Sequence, residues 1–217
     1  MENLFMSILN EISALLQQGR APKVKAAVQQ ALDEGVPAAE ILEGGLLAGM
    51  NVIGQRFKNG EVFVPEVLLS ARAMTRGIET LRPLLVADGV EEKGTVVIGT
   101  VKGDMHDIGK NLVRMMMEGK GLKVVDLGVD VPADAFISAA REHSAQVIAC
   151  SSLLTTTMEE MRSVVEAVHH SELDGKVRVM VGGAPVTQAF CDQIGADCFT
   201  SDAASAAEAA LSLCSVC

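Results

Sequence analysis

Along the first third of the chain, apolar residues return at three- and four-residue steps. Leu4, Ile8, Ile12 and Leu15 form one stripe, and Val24, Val28, Ala31 and Leu32 a second. Side chains at these steps share one face of an α-helix. Gly35-Val36-Pro37 breaks the pattern before a third stripe through Ile41, Leu42, Leu46, Met50, Ile53 and Phe57. Asn59-Gly60 marks a turn. Pro65-Glu66 suits the opening of a fourth helix carrying Leu68, Ala71, Met74, Ile78 and Leu81. Four amphipathic helices with short connections predict an antiparallel four-helix bundle over residues 1–88.

A polar stretch follows, with the linker placed at residues 89–94, and from Thr95 the rhythm changes. Short β-branched runs at 95–98, 123–127, 146–150, 177–181 and 198–200 alternate with helical patterns near 109–119, 134–142, 157–170, 187–194 and 203–213. Strand–helix units of this length require right-handed crossovers and so a parallel sheet. The predicted class is α + α/β: a helical bundle, then a Rossmann-like (flavodoxin-like), doubly wound five-stranded parallel sheet over 95–217. In such sheets ligands bind beyond the carboxyl ends of the strands, where strand order reverses. The loops after the strands are therefore the places to look for chemistry.

Composition narrows the function classes. The chain has 217 residues and a formal charge of −10, which disfavours binding to phosphate backbones. Apolar residues make up 49% and charged residues 21%, the balance of a folded globular protein. No run approaches the roughly 18 apolar residues of a membrane span, and the start Met1-Glu2-Asn3-Leu4 lacks the basic opening of a secretory signal. The expectation is a cytoplasmic protein that binds neither nucleic acid nor membrane. The five cysteines then remain reduced. Cys214-Ser-Val-Cys217 could be half a zinc site, but with no His at ligand spacing nearby it reads better as a frayed C-terminal end.

Three strand-end loops stand out. The first runs Thr100-Val101-Lys102-Gly103-Asp104-Met105-His106-Asp107-Ile108-Gly109-Lys110, the third is Ser151-Ser152-Leu153-Leu154-Thr155-Thr156-Thr157, and the fourth is Gly182-Gly183-Ala184-Pro185. The first is a poor phosphate cradle: five residues separate Gly103 from Gly109, and Asn111 stands where a P-loop has Ser or Thr. Asp104-Met105-His106 can instead set a carboxylate against one imidazole nitrogen while the other ligates a metal. Alone, that pair reads better as a loop histidine bonded to a local carboxylate.

The wider spacing carries more information. Asp-x-His-x-x-Gly closing at Gly109, then Ser151-x-Leu153, then Gly182-Gly183 closely resembles the cobalamin-binding signature of methionine synthase and of the corrinoid proteins of methylotrophic methyltransferase systems. The helical first part, with Gly49 to Phe57 and Asn59 to Glu66, is similar to the cap that precedes the binding domain in those proteins. The resemblance covers nearly the whole chain. It implies cobalamin bound with its own dimethylbenzimidazole displaced, and His106 as lower axial ligand to cobalt. It further implies that Asp104 holds that imidazole and that the relay continues to Thr157, where relatives commonly have Ser. Gly109, Met105 and Asp107 would approach the ring. Ser151, Leu153, Thr155, Gly182 and Gly183 would line the slot for the displaced tail, with the glycines bare to leave it room. Phe57, Phe63 and Val64 would cover the upper face from the cap.

The function implied is a methyl carrier cycling between cobalt(I) and methylcobalt(III), and not a complete enzyme alone. Its partners would be a substrate-specific methyltransferase, a methylcorrinoid:acceptor methyltransferase acting on tetrahydrofolate or a thiol, and a reductive activator. A cobalamin-sensing regulatory module and the small subunit of a cobalamin-dependent mutase share parts of the signature. The sensors usually carry a basic DNA-binding domain, and the mutases lack this cap.

Overall fold

The computed structural model describes residues 2–87 and 92–215. The chain divides into two compact units, Met1–Glu91 and Glu92–Cys217. Half of the stretch read as a linker, residues 89–91, and Cys217 of the terminal cysteine pair lie outside the described residues. At its far end Lys93 already donates its N–H to Gly121 O at 3.1 Å, and Gly94 O accepts from Lys123 at 2.9 Å.

The helical unit comprises α1 (Glu2–Gln17), α2 (Ala21–Asp33), α3 (Ala38–Glu40), a π-wound segment (Ile41–Leu47), α4 (Ala48–Lys58) and α5 (Val64–Ala87). The middle three join into one rod, so four helical rods form the unit. Ile8, Ile12, Leu16, Val24, Val28, Ile41, Leu46, Met50, Ile53, Val67, Met74 and Leu81 make its core. Two positions differ from the sequence reading. Leu16 is buried where Leu15 was expected, and Val67 where Leu68 was expected; Leu68 is exposed. In each case adjacent apolar residues straddle the edge of the stripe, and packing selects the one on the four-residue row.

The second unit alternates strand and helix: β1 (Thr95–Thr100), α6 (Ile108–Glu118), β2 (Lys123–Asp126), α7 (Ala133–Glu142), β3 (Val147–Ser151), α8 (Glu159–His169), β4 (Arg178–Gly182), α9 (Gln188–Ile194), β5 (Cys198–Thr200) and α10 (Ala203–Cys214). All pairings are parallel, in the order β2-β1-β3-β4-β5. Val96, Val97, Ile98, Ile148, Val179 and Val181 are buried, as a sheet covered on both faces demands. Order reverses between β1 and β3, so the crevice at their carboxyl ends is the switch point. Register aligns Thr100 with Ser151, Ser151 with Gly182, and Gly182 with Thr200, in one row across the strand ends.

The glycine pair after β4 has separate roles. Gly183 sits at φ +131, and a Cβ there would lie 1.9 Å from the Ser152 carbonyl oxygen. Its bareness is thus demanded by the chain's own β3 loop, a cause other than the room for a ligand tail expected from sequence. A Cβ at Gly182 would only touch Thr200 O at 3.4 Å. Gly183→Ala should therefore lower unfolding free energy by about 3 kcal/mol or more, and Gly182→Ala by under about 1 kcal/mol, in urea denaturation of the apoprotein.

Candidate functional site

The loop after β1 is fixed by its neighbours before any ligand arrives. Gly103 turns in left-handed backbone at φ +79, and its N–H donates to Asp130 Oδ1 at 2.7 Å. Asp130 in turn donates its N–H to Asp104 O at 3.0 Å. The buried Thr100 hydroxyl donates to His106 O at 2.8 Å. So pinned, the loop sends Asp104 inward and leaves His106 half exposed.

Asp104 has no exposed surface. Its Oδ1 accepts from the His106 N–H at 3.0 Å and contacts His106 Nδ1 at 2.7 Å. Its Oδ2 accepts from the N–H groups of Leu153 at 2.7 Å and Leu154 at 3.2 Å, and from the Thr157 hydroxyl at 3.1 Å. Ser152 Oγ lies 3.4 Å from the same oxygen and 2.8 Å from Thr157 Oγ1. Burial alone would raise the carboxyl pKa. The backbone donors of His106 and Leu153, with the imidazole and Leu154, outweigh it and hold the pKa well below the usual carboxylate range.

That fixes the imidazole. An ionised carboxylate only accepts, so Nδ1 must be the donor, and the lone pair of the neutral ring falls on Nε2. The side chain is 51% exposed, and Nε2 has no protein partner among the described residues. Among the described residues no group of three or more His, Cys, Asp or Glu could hold a metal ion. At this loop the described residues thus present one imidazole nitrogen, Nε2 of His106.

Gly109, in the first turn of α6, would meet nothing within 4 Å if it gained a Cβ. Nothing in the packing of the described residues crowds this position, so the first turn of α6 is open on that side. Met105, Ile108, Leu153 and Leu154 are exposed apolar residues, Ile108 at 77%. Two flank His106 in sequence and two give their N–H groups to Asp104, so an apolar rim surrounds the imidazole. The hydroxyls of Ser151 and Thr155 have no partner among the described residues, which leaves them free for a ligand. Asp107 precedes α6, and its carboxylate accepts from Asn111 Nδ2 at 3.1 Å. In the helical unit Phe57 and Val64 are half-buried, whereas Phe63 is 67% exposed, unlike a core aromatic.

Sequence reasoning missed four contributors: Thr100, Asp130, Ser152 and Lys110. The period of two in a strand gave a signal for Ser152, since it sets Ser151 and Ser152 on opposite faces and only one could reach Asp104. Lys110 is 2% exposed, with Nζ 2.6 Å from both Asp126 oxygens and 2.9 Å from Asn111 Oδ1. It ties the start of α6 to the end of β2. Helix α8 begins at Glu159, later than expected, because residues 154–157 form a turn around Asp104.

A parallel α/β unit with a carboxylate-held imidazole at its switch point, preceded by a helical unit, defines the class: a corrinoid-binding protein with a helical cap. Two family models, each described as a B12 binding domain, match residues 94–211 and 8–82. The chain belongs to this B12-binding family of corrinoid proteins. It is 44% identical over 199 residues to dimethylamine corrinoid protein 3 of Methanosarcina acetivorans, covering 92% of this chain and 93% of the relative. It is 39% identical over 210 residues to a corrinoid protein of Desulfitobacterium hafniense, covering 95% and 97%. Among solved structures it resembles the methanol:cobalamin methyltransferase complex MtaBC of Methanosarcina barkeri, with TM-score 0.87, 30% identity and coverage of 96% and 80%. A cobalamin-binding protein of D. hafniense DCB-2 follows at TM-score 0.78 and 28% identity, covering 94% of this chain and 98% of that one. No helix among the described residues is long and apolar enough to cross a membrane.

Because the folded-state pKa of Asp104 is depressed, its stabilisation is complete above the unfolded carboxylate value near ~4 and fades as pH falls through the folded value. Asp104→Asn should cost about 2 kcal/mol at neutral pH, with the deficit shrinking below pH ~4. Denaturant titrations of both proteins across pH measure this.

Proposed function

We infer that this chain is the methyl-carrying corrinoid subunit of a methyltransferase system, in which Nε2 of His106 would hold the cobalt. The observation that carries the reading is the free Nε2 opposite an Nδ1 bonded to a buried, ionised carboxylate. When bound, the corrinoid supplies a cobalt centre that accepts and releases a methyl group. The chain's own residues do the rest. Asp104 fixes the tautomer and orientation of the ring. Thr157 and Ser152 keep donors on the far oxygen of Asp104, so a change of charge at the imidazole is felt in a single hydrogen-bonded unit. Gly109 leaves room above the first turn of α6, and Met105, Asp107 and Leu153 border the ring.

Ser151, Thr155 and Gly182 are assigned to the displaced nucleotide tail, supported by the two partnerless hydroxyls and the thin wall at the end of β4. Phe57, Phe63 and Val64 are assigned to the upper-face cover, supported by the exposure of Phe63. The partners proposed are a methyltransferase specific for the methyl donor, a second passing the methyl group to tetrahydrofolate or a thiol, and a reductive activator. The names of the most similar relatives favour a methylamine as donor.

Two outcomes test this. With no Tyr or Trp in the chain, absorption above about 275 nm reports the cofactor. Protein reconstituted with hydroxocobalamin, reduced to cobalt(II) and labelled with 15N-histidine should show coupling to a histidine nitrogen by electron paramagnetic resonance. His106→Ala should abolish that coupling, and dimethylbenzimidazole remaining on cobalt in the unmutated protein would refute the assignment. Gly109→Ala should leave apoprotein stability unchanged or raise it by up to about 1 kcal/mol, while cobalamin affinity falls at least ~10-fold from steric exclusion. Equilibrium dialysis and denaturation separate the two effects.

A further inference from the structure

The helical unit carries a second feature, lined by none of the residues assigned above to the corrinoid. Between the start of α2 and the middle of α5 lies a groove of about 480 Å³. Ala21, Pro22 and Leu69 give it apolar lining, and Lys25, Arg72 and Arg76 place three cations on it from two helices. The lining is rigid, because Gly19 packs its bare Cα so closely on α5 that a Cβ would sit 2.5 Å from Leu69 Cβ.

The charge distribution is unusual for this chain. Its net charge is −10, yet Arg20, Lys23, Lys25, Arg72 and Arg76 fall within residues 20–25 and 72–76, stretches that contain no acidic residue. Arg76 pairs with Glu79 at 2.9 Å. Arg20, Lys23, Lys25 and Arg72 make no ion pair among the described residues. Lys25 and Arg72 thus lie on the groove without counter-charges, and a complementary anion relieves the repulsion between them.

The shape selects among anions. An inorganic ion would leave the apolar lining uncovered. A nucleic acid, extending well past the groove, would meet the acidic remainder of the surface. An acidic side chain has an aliphatic stem for Leu69 and Pro22 and a carboxylate for a guanidinium, which binds it through two parallel hydrogen bonds. We propose that the α2/α5 groove is a docking site for an acidic peptide segment of a protein partner, recognised by Lys25, Arg72 and Arg76.

The test uses the full-length 15N-labelled protein and three probes: acetylated, amidated hexaglutamate, the corresponding hexaglutamine, and inorganic phosphate. Hexaglutamate should shift the amide signals of Ala21, Lys25, Leu69, Arg72 and Arg76 saturably, with affinity falling as salt rises. Arg72→Glu with Arg76→Glu should weaken binding at least ~10-fold, and Lys25→Glu by a smaller factor. Both are exposed substitutions, and unchanged far-ultraviolet circular dichroism verifies the fold. Lys123→Glu with Lys176→Glu, on the other unit, should leave binding unaltered. Equal shifts with hexaglutamine, saturation by phosphate at the same concentration, or equal weakening by the Lys123/Lys176 pair would each overturn the proposal.

Discussion

A carboxylate taken wholly out of water persists in charged form only if donors surround it, and the donors around Asp104 come from two separate loops. Its own loop supplies the His106 N–H and imidazole, and the loop after β3 supplies Leu153, Leu154 and Thr157. Nothing about this charge depends on a bound cofactor. The interaction sets the imidazole tautomer, the path of the β3 loop and the delayed start of α8. Without it, Nδ1 and Nε2 would be interchangeable as donors, and the ring would have no preferred direction.

Sheet topology is what lets those loops meet. Because β1 and β3 are adjacent while their following helices leave to opposite faces, the loops after them part and open a crevice. A one-residue shift in the β1–β3 register would exchange Ser151 for Ser152 beside Asp104 and turn every strand residue to the other face. The Gly183 backbone, passing close to Ser152 O, braces the β3 loop from the β4 side. The arrangement is therefore over-determined: register, a buried charge and a backbone contact without room for a side chain all specify the same loop conformation.

The two periods of hydrophobic pattern made both units, all five strands and the helix order legible in the sequence. The Asp104–His106 pair was legible too, because two residues apart in one loop is a local relation. Less so were relations that require two distant segments. Ser152 becomes part of the site only once β3 lies beside β1, and Lys110 becomes a tie only once Asp126 arrives at the end of β2. Gly183 shows a subtler limit. A glycine at a strand end suggests space, but sequence does not tell whether the space serves a ligand or another stretch of backbone. Leu15 and Leu16, or Leu68 and Val67, differ by a rotation that only the packed neighbours decide.

The distribution of satisfied and unsatisfied groups also bears on what a carrier needs. Every donor on Asp104 is intramolecular, so the ring is oriented before the corrinoid binds and little ordering is left to oppose binding. Among the groups without partners are several assigned above to the ligand: Nε2 of His106, the hydroxyls of Ser151 and Thr155, the exposed apolar residues of these loops and the bare turn at Gly109. The helix glycine and the exposed apolar side chains are mildly unfavourable in the free protein. A helix glycine costs about 1 kcal/mol relative to alanine, and exposed Met105, Ile108 and Leu153 forgo the burial that stabilises apolar side chains elsewhere. Such losses persist in a folded chain when binding recovers them. On the function proposed above, the carboxylate network holds the imidazole in place and the unfulfilled contacts are left for the corrinoid, which would complete the site without having to build it.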